Sequence, residues 1–168
     1  MLISSELEER INAQIGREFG ASLQYYNLGA YFDSDDLPQL AAFFYRQAEE
    51  EKMHALKFLH YIVDAGGQVR IPKVKGPKFD IPSAKAAVQM ALDWEEEVTR
   101  QINSLMDLAL SQNDHIAQDF LRWFVTEQLE EVSTMSRLLK VVERAGANLL
   151  LVEDFLSRES LGAAASAE

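Results

Sequence analysis

The sequence predicts an all-α fold: a four-helix bundle with one long crossover between its second and third helices, and a short fifth helix at the C-terminal end. Three observations carry this expectation. Apolar residues recur at the helical period through four stretches of about 28 to 31 residues each. All four prolines (Pro38, Pro72, Pro77, Pro82) fall at or between the ends of those stretches, never inside one. A proline- and glycine-rich segment, residues 66–82, separates the second stretch from the third, whereas the other junctions are short turns.

Each element has its own punctuation. Ser5-Glu6-Leu7-Glu8 has the pattern of a capping box and opens a helix expected over residues 5–32. Asp33-Ser34-Asp35-Asp36 turns the chain, and Pro38 suits the first position of a second helix over 37–65, stopped by Gly66-Gly67. Ser83 caps a third helix over 84–111, and Gln112-Asn113-Asp114 turns the chain into a fourth over 115–145. Asn148 is the expected cap of the fifth helix, 149–159, and the small-residue tail 162–168 is expected to be disordered. All 168 residues are read as a single domain.

The short turns force helices one and two, and three and four, into antiparallel pairs. The 17-residue connection stretches to roughly 56 Å, enough to run back along a whole helix, so helices two and three can lie parallel. Gly16, Gly20 and Gly29 each weaken the first helix by about 1 kcal/mol relative to alanine. Close backbone packing is the expected reason for all three.

Composition narrows the function. Hydrophobic residues at 48% and charged residues at 26% suit a folded chain and not a disordered one. The net charge of −11, from 27 acids against 16 bases, argues against a nucleic-acid or anionic-membrane partner and favours cations. With no cysteine, thiolate metal sites, iron–sulfur clusters, disulfides and thiol catalysis are excluded. No window has the apolar length of a membrane span, and the acidic start lacks the pattern of a signal peptide, so a cytoplasmic location is expected.

The apolar stripes are interrupted at one level. The first runs Leu7, Ile11, Ile15, then Glu18, Ser22, Tyr25; the second Leu40, Phe44, Gln47, then Glu51 and His54, then Phe58. In the third, Glu95 follows Val88 and Leu92; in the fourth, Glu127 and Glu131 follow Phe120 and Phe124. Glu18, Glu51, Glu95 and Glu131 each fall within about three residues of their helix midpoint, or under about 5 Å along the axis, so all four are expected in one layer. Singly, Glu49-Glu50-Glu51 or Glu95-Glu96-Glu97 reads as a solvated charge run. Yet consecutive helical residues point about 100° apart, so three adjacent glutamates cannot all face water on a packed helix.

Four crowded carboxylates with no inward Lys or Arg call for cations, and two divalent ions balance their charge. Glu51 and His54, at i and i+3, point the same way and can share one ion, with Glu51 free to bridge to a second. Several oxygens and one imidazole suit Fe(II) or Mn(II) better than tetrahedral zinc, and iron is the expected metal.

Glu18 with Tyr25 seven residues on, Glu50-Glu51-Lys52-Met53-His54, Glu95, and Trp123 through Glu131 together resemble the ferritins, specifically the non-haem bacterial ferritins, over nearly the whole chain. The resemblance implies a ferritin-like bundle with an iron-oxidising (ferroxidase) centre. Glu18, Glu51 and His54 would hold one iron; Glu51, Glu95 and Glu131 a second, with Gln128 beside it and Tyr25 next to the pair. It further implies a third, transit-type iron site from Glu50, Glu127, Glu130 and Glu131, and a homo-oligomeric shell of twenty-four subunits taking Fe(II) with O2 or H2O2. Bacterioferritins carry a second metal-binding histidine where this chain has Gln128-Leu129-Glu130-Glu131, and their haem-ligating methionine stands where it has Lys52, so no haem is expected.

The alternative is a di-iron oxidase or peroxidase of the same superfamily without storage, which needs a substrate pocket that Phe44, Phe58 and Phe124 are expected to fill. His60 and His115 are read as surface residues, Trp94 and Trp123 as core packing, and Asp114 and Asp119 as capping or channel acids.

Overall fold

The computed structural model describes residues 2–159 and Leu161; the expected disordered tail lies outside the described residues. Five helices follow in order: α1 (Ser5–Asp33), α2 (Pro38–Asp64), α3 (Ala84–Ser111), α4 (His115–Ala145) and α5 (Leu150–Arg158). No strand occurs among the described residues, and no helix there is long and apolar enough to cross a membrane.

The helix boundaries fall within a residue or two of those expected, and the caps show why. Ser83 accepts from the Ala86 amide at 3.1 Å and Asp114 from the Ala117 amide at 3.0 Å. Pro38 opens α2 behind Leu37. Two caps differ from expectation. Ser4, not Ser5, takes the Leu7 amide at 3.1 Å and caps α1. Asn148 provides no side-chain cap, since Leu149 occupies that position; the Asn148 carbonyl instead accepts from the Leu151 amide.

The buried apolar residues form two clusters rather than one. The first holds the end of α1 (Tyr25, Leu28, Phe32), the start of α2 (Leu40, Phe44), the start of α3 (Val88, Leu92) and the end of α4 (Leu138, Val142), and α5 closes it with Val152. The second gathers Leu7 and Ile11, Phe58 and Ile62, Ile102 and Leu105, and Leu121 and Phe124. Because α2 and α3 both start in the first cluster and finish in the second, they run parallel, and α1 and α4 run against them. The gap between the clusters falls halfway along every helix.

The crossover makes the parallel arrangement feasible by lying along α1. Gln68 donates its amide to Glu8 Oε2 at 3.0 Å, and the Arg70 amide donates to Asn12 Oδ1 at 2.5 Å. Further on, the Lys78 amide donates to Gln24 Oε1 at 2.8 Å, and Asn27 Nδ2 donates to the Lys78 carbonyl at 2.9 Å. An extended segment has no intrinsic partners for its peptide groups, so these buried or half-buried polar side chains supply them.

Pro72 lies against Gly16 so tightly that a methyl group there would overlap its ring, and at Gly29 a methyl would stand 2.5 Å from the Tyr45 ring. Gly20 differs from the expectation: its nearest neighbours, Trp94 and Val74, would lie at an ordinary 3.8 Å from an added methyl. Close packing therefore explains two of the three glycines.

Candidate metal centre

The gap between the apolar clusters is filled by Glu18 on α1, Glu51 and His54 on α2, Glu95 on α3, and Gln128 and Glu131 on α4, each at most 5% exposed. The charge runs divide as helical geometry requires: Glu51 is buried beside exposed Glu49 and half-buried Glu50, and Glu95 is buried beside exposed Glu96 and Glu97.

Among the described residues, two groups bring ligand atoms within 4.8 Å of one another. Glu18, Glu51 and His54 form the first; His54, Glu127 and Glu131 form the second, so the imidazole stands between them. Glu95 belongs to neither. Tyr25 donates its hydroxyl to Glu95 Oε1, and Gln128 Nε2 donates to Oε2 at 3.2 Å and to the Glu95 carbonyl at 3.1 Å. Tyr25 thus serves Glu95, with its proton held on by burial and the neighbouring carboxylates.

Glu50, Glu127 and Glu130 adjoin Glu131 on the less buried side. Burial, and then the charges of Glu127 and Glu130, push the Glu50 carboxyl up to about 7. Glu127 is raised by burial and Glu130. Glu50, Glu127 and His54 also line a groove of about 780 Å³ between α2 and α4, which leads outward from the layer past Trp123.

Two glutamines hold the carboxylates in place, a role the sequence pattern did not disclose. Gln14 Nε2 donates to Glu18 Oε1 at 2.8 Å, and Gln47 Nε2 donates to Glu131 Oε2 at 2.8 Å. Both glutamines are fully buried; a glutamine one helical turn from an inward glutamate was the available signal for Gln14, whereas Gln47 holds a carboxylate on another helix and had none.

The layer is short of positive charge. Glu18 Oε2 and both carboxylate oxygens of Glu51 are buried without a hydrogen-bond donor among the described residues. Burial pushes Glu18 up to about 7 against the pull of Gln14, and burial followed by the Glu95 charge raises Glu51 well above the carboxylate range. Glu131 is raised by the same two causes, and Glu95 by burial. His54 moves the other way, down to about 4, through burial and the Lys57 charge. The imidazole is therefore neutral at pH 7. Its Nδ1, 3.4 Å from Glu51 Oε2, makes with it a pair of co-directed ligands and not an ion pair.

Buried oxygens lacking donors, a neutral imidazole and no inward cation fit a site for hard divalent metal ions. Of the remaining candidates, His60, His115 and Asp119 are exposed and Asp114 is the α4 cap. Trp94 is half-buried, while Trp123 is 39% exposed with its ring centroid 5.5 Å from that of His54.

This bundle and its carboxylate–imidazole layer define a ferritin-like protein. The ferritin-like domain family matches residues 8–145, and the chain belongs to that family. Within it the chain stands with the non-haem bacterial ferritins, proteins of iron storage. It is 40% identical to ferritin BfrB of Mycolicibacterium smegmatis over 163 residues, covering 97% of this chain and 90% of the relative. It is 34% identical to the bacterial non-heme ferritin of Staphylococcus aureus over 164 residues, covering 96% of each. Among solved structures, an open pore ferritin from the archaeon Archaeoglobus fulgidus superposes with a TM-score of 0.90 at 30% identity, covering 94% of this chain and 98% of that one.

Proposed function

We propose that the chain is a ferroxidase as well as an iron store: it oxidises Fe(II) at the mid-bundle layer with O2 or H2O2 and passes Fe(III) to a mineral inside a shell of its own copies. The observation that carries this reading is the set of buried, donorless oxygens on Glu18 and Glu51 facing a neutral His54. Glu18, Glu51 and His54 bind the first ferrous ion. Glu51 bridges to a second ion held with Glu95 and Glu131, while Gln128 and Tyr25 keep Glu95 oriented.

Each Fe(II) gives up one electron. Two electrons and two protons convert O2 to H2O2, or H2O2 to two waters. The protein contributes positioning and charge neutralisation. Glu50, Glu127 and Glu130 with Glu131 form a third site on the groove side, and receive iron on its way out. The shell has twenty-four subunits and resides in the cytoplasm.

The stacked Phe58 and Phe124 rings, with centroids 4.0 Å apart, fill the interior beside His54, so the groove between α2 and α4 is where an organic substrate would have to enter if the chain were an oxidase without storage. Anaerobic Fe(II) titration by calorimetry, followed by stopped-flow exposure to O2, tests the proposal. Two or three ions per chain and rapid oxidation are expected, with the rapid phase lost in Glu51→Ala. Unchanged fast oxidation in that variant, or no binding above background in the parent protein, overturns it.

A further inference from the structure

A groove of about 470 Å³ lies on the opposite side of α1 from the carboxylate layer, walled by α1, the crossover and α3. Its volume is in the range of small-molecule sites. Gly16, Gly20 and Ala13 leave the α1 wall bare of long side chains, and Pro72, Met90 and Trp94 complete an apolar floor. Gly20 has a meaning here that packing does not give it. An alanine would fit there without a clash and stabilise the helix by about 1 kcal/mol, its methyl in ordinary contact with Trp94 and Val74 at 3.8 Å, whereas a longer side chain would extend into the groove.

The rim is divided by charge. Lys73, Lys75 and Lys78 stand on the crossover, all exposed, and none takes part in an ion pair among the described residues. This concentration of cations is unusual in a chain of net charge −11. The α3 wall instead presents Asp93 and Glu97. Asp93 accepts one hydrogen bond from Gln89 at 2.7 Å; Glu97 accepts from Arg100 and Gln101, each at 2.9 Å. Each carboxylate keeps free acceptor capacity.

We propose that this groove binds a nucleoside phosphate. Cations on one wall take the phosphate, Trp94 offers an aromatic surface for the base, and Asp93 and Glu97 accept from ring and exocyclic N–H groups. A bare phosphate would use only the lysine wall, and an uncharged aromatic only the floor. The three features together select a ligand that has both ends and N–H donors between them.

The test uses the assembled, metal-free protein titrated with AMP and with GMP by calorimetry, with inorganic phosphate and adenosine as controls. Saturable binding of at least one nucleotide is expected, at least tenfold tighter than either control. Gly20→Leu, which fills the floor, and the exposed triple change K73E/K75E/K78E should each weaken it at least tenfold while leaving iron oxidation intact. In a Trp123→Phe background, quenching of the remaining tryptophan reports contact with Trp94. Nucleotide binding no tighter than phosphate, no saturable heat, or parental affinity in Gly20→Leu overturns the proposal.

Discussion

Gln14 donates to one oxygen of Glu18, Oε1, at 2.8 Å, while Oε2 of the same carboxylate has no donor among the described residues. The glutamine fixes the rotation of the carboxyl group, so that the second oxygen is aimed and left free. An outer partner of this kind commonly changes metal affinity by about 10- to 100-fold. Gln14→Leu is therefore expected to weaken Fe(II) or Zn(II) binding at the Glu18 site by about tenfold without loss of helix content. Calorimetry and circular dichroism read the two effects separately, and an unaltered affinity removes the positioning role.

Glu51 presents the opposite case, a carboxylate with nothing to hold it in the metal-free protein. Its two oxygens are buried without donors, and burial and then Glu95 raise its titration well above the ordinary range. A group raised in the folded state contributes stability that is complete below the unfolded value of about 4.5 and is lost as pH rises through the folded value. For Glu18 that window runs from 4.5 up to about 7. His54, lowered to about 4, opposes this below 6.5, but as one imidazole against four carboxylates. The metal-free protein is thus expected to lose thermal stability between pH 5 and 8. Glu51→Gln, an uncharged isostere, should recover on the order of 1–2 kcal/mol at pH 8, roughly 2–8 °C in Tm, and little at pH 5. A variant that melts lower than the parent at pH 8 contradicts the charge-crowding account.

The same crowding links metal uptake to proton release. At pH 6 the Glu18 carboxyl, at about 7, is mostly protonated in the metal-free protein, and burial with the neighbouring carboxylates shifts Glu51 and Glu131 in the same direction. A cation must displace those protons. Titrations of Zn(II), which does not change oxidation state, in buffers of different ionisation enthalpy should show more protons released per ion at pH 6 than at pH 8, and weaker apparent affinity. A release that is independent of pH would mean the carboxylates are already ionised.

The parts of the molecule legible from the sequence are those where one physical rule dominates. Helical period, proline placement and short polar turns located α1 to α4, and the break of each stripe at Glu18, Glu51, Glu95 and Glu131 marked the layer, because a buried charge violates the pattern that surrounds it. The less legible parts are those where two surfaces compete for one helix. α1 buries its apolar stripe against the bundle and an opposite, polar face beneath the crossover, so Asn12 and Gln24 are buried as amide partners for an extended segment. No periodicity marks such residues. Gln47 was obscured for a related reason: a buried glutamine reads as a flaw in a stripe until the carboxylate it holds is in view, and Gln14 lies beside its stripe and not in it.

The glycines of α1 allow the packing of the crossover to be tested without touching the metal layer. All three carry the same helix penalty, about 1 kcal/mol relative to alanine, so differences among their alanine variants report the neighbours alone. At Gly16 the obstacle is the Pro72 ring, whose backbone is tethered on either side through Asn12 and Gln24; the crossover would have to lift. At Gly29 the obstacle is the half-buried Tyr45 ring, which can swing aside at modest cost. At Gly20 nothing stands closer than 3.8 Å. The expected order of stability is Gly20→Ala above the parent by about 0.5–1 kcal/mol, Gly29→Ala near or slightly below it, and Gly16→Ala below by about 1–3 kcal/mol. Denaturant unfolding of the three variants reads the order directly. A Gly16→Ala protein as stable as the Gly20→Ala protein would mean that the crossover does not press on α1 at Pro72.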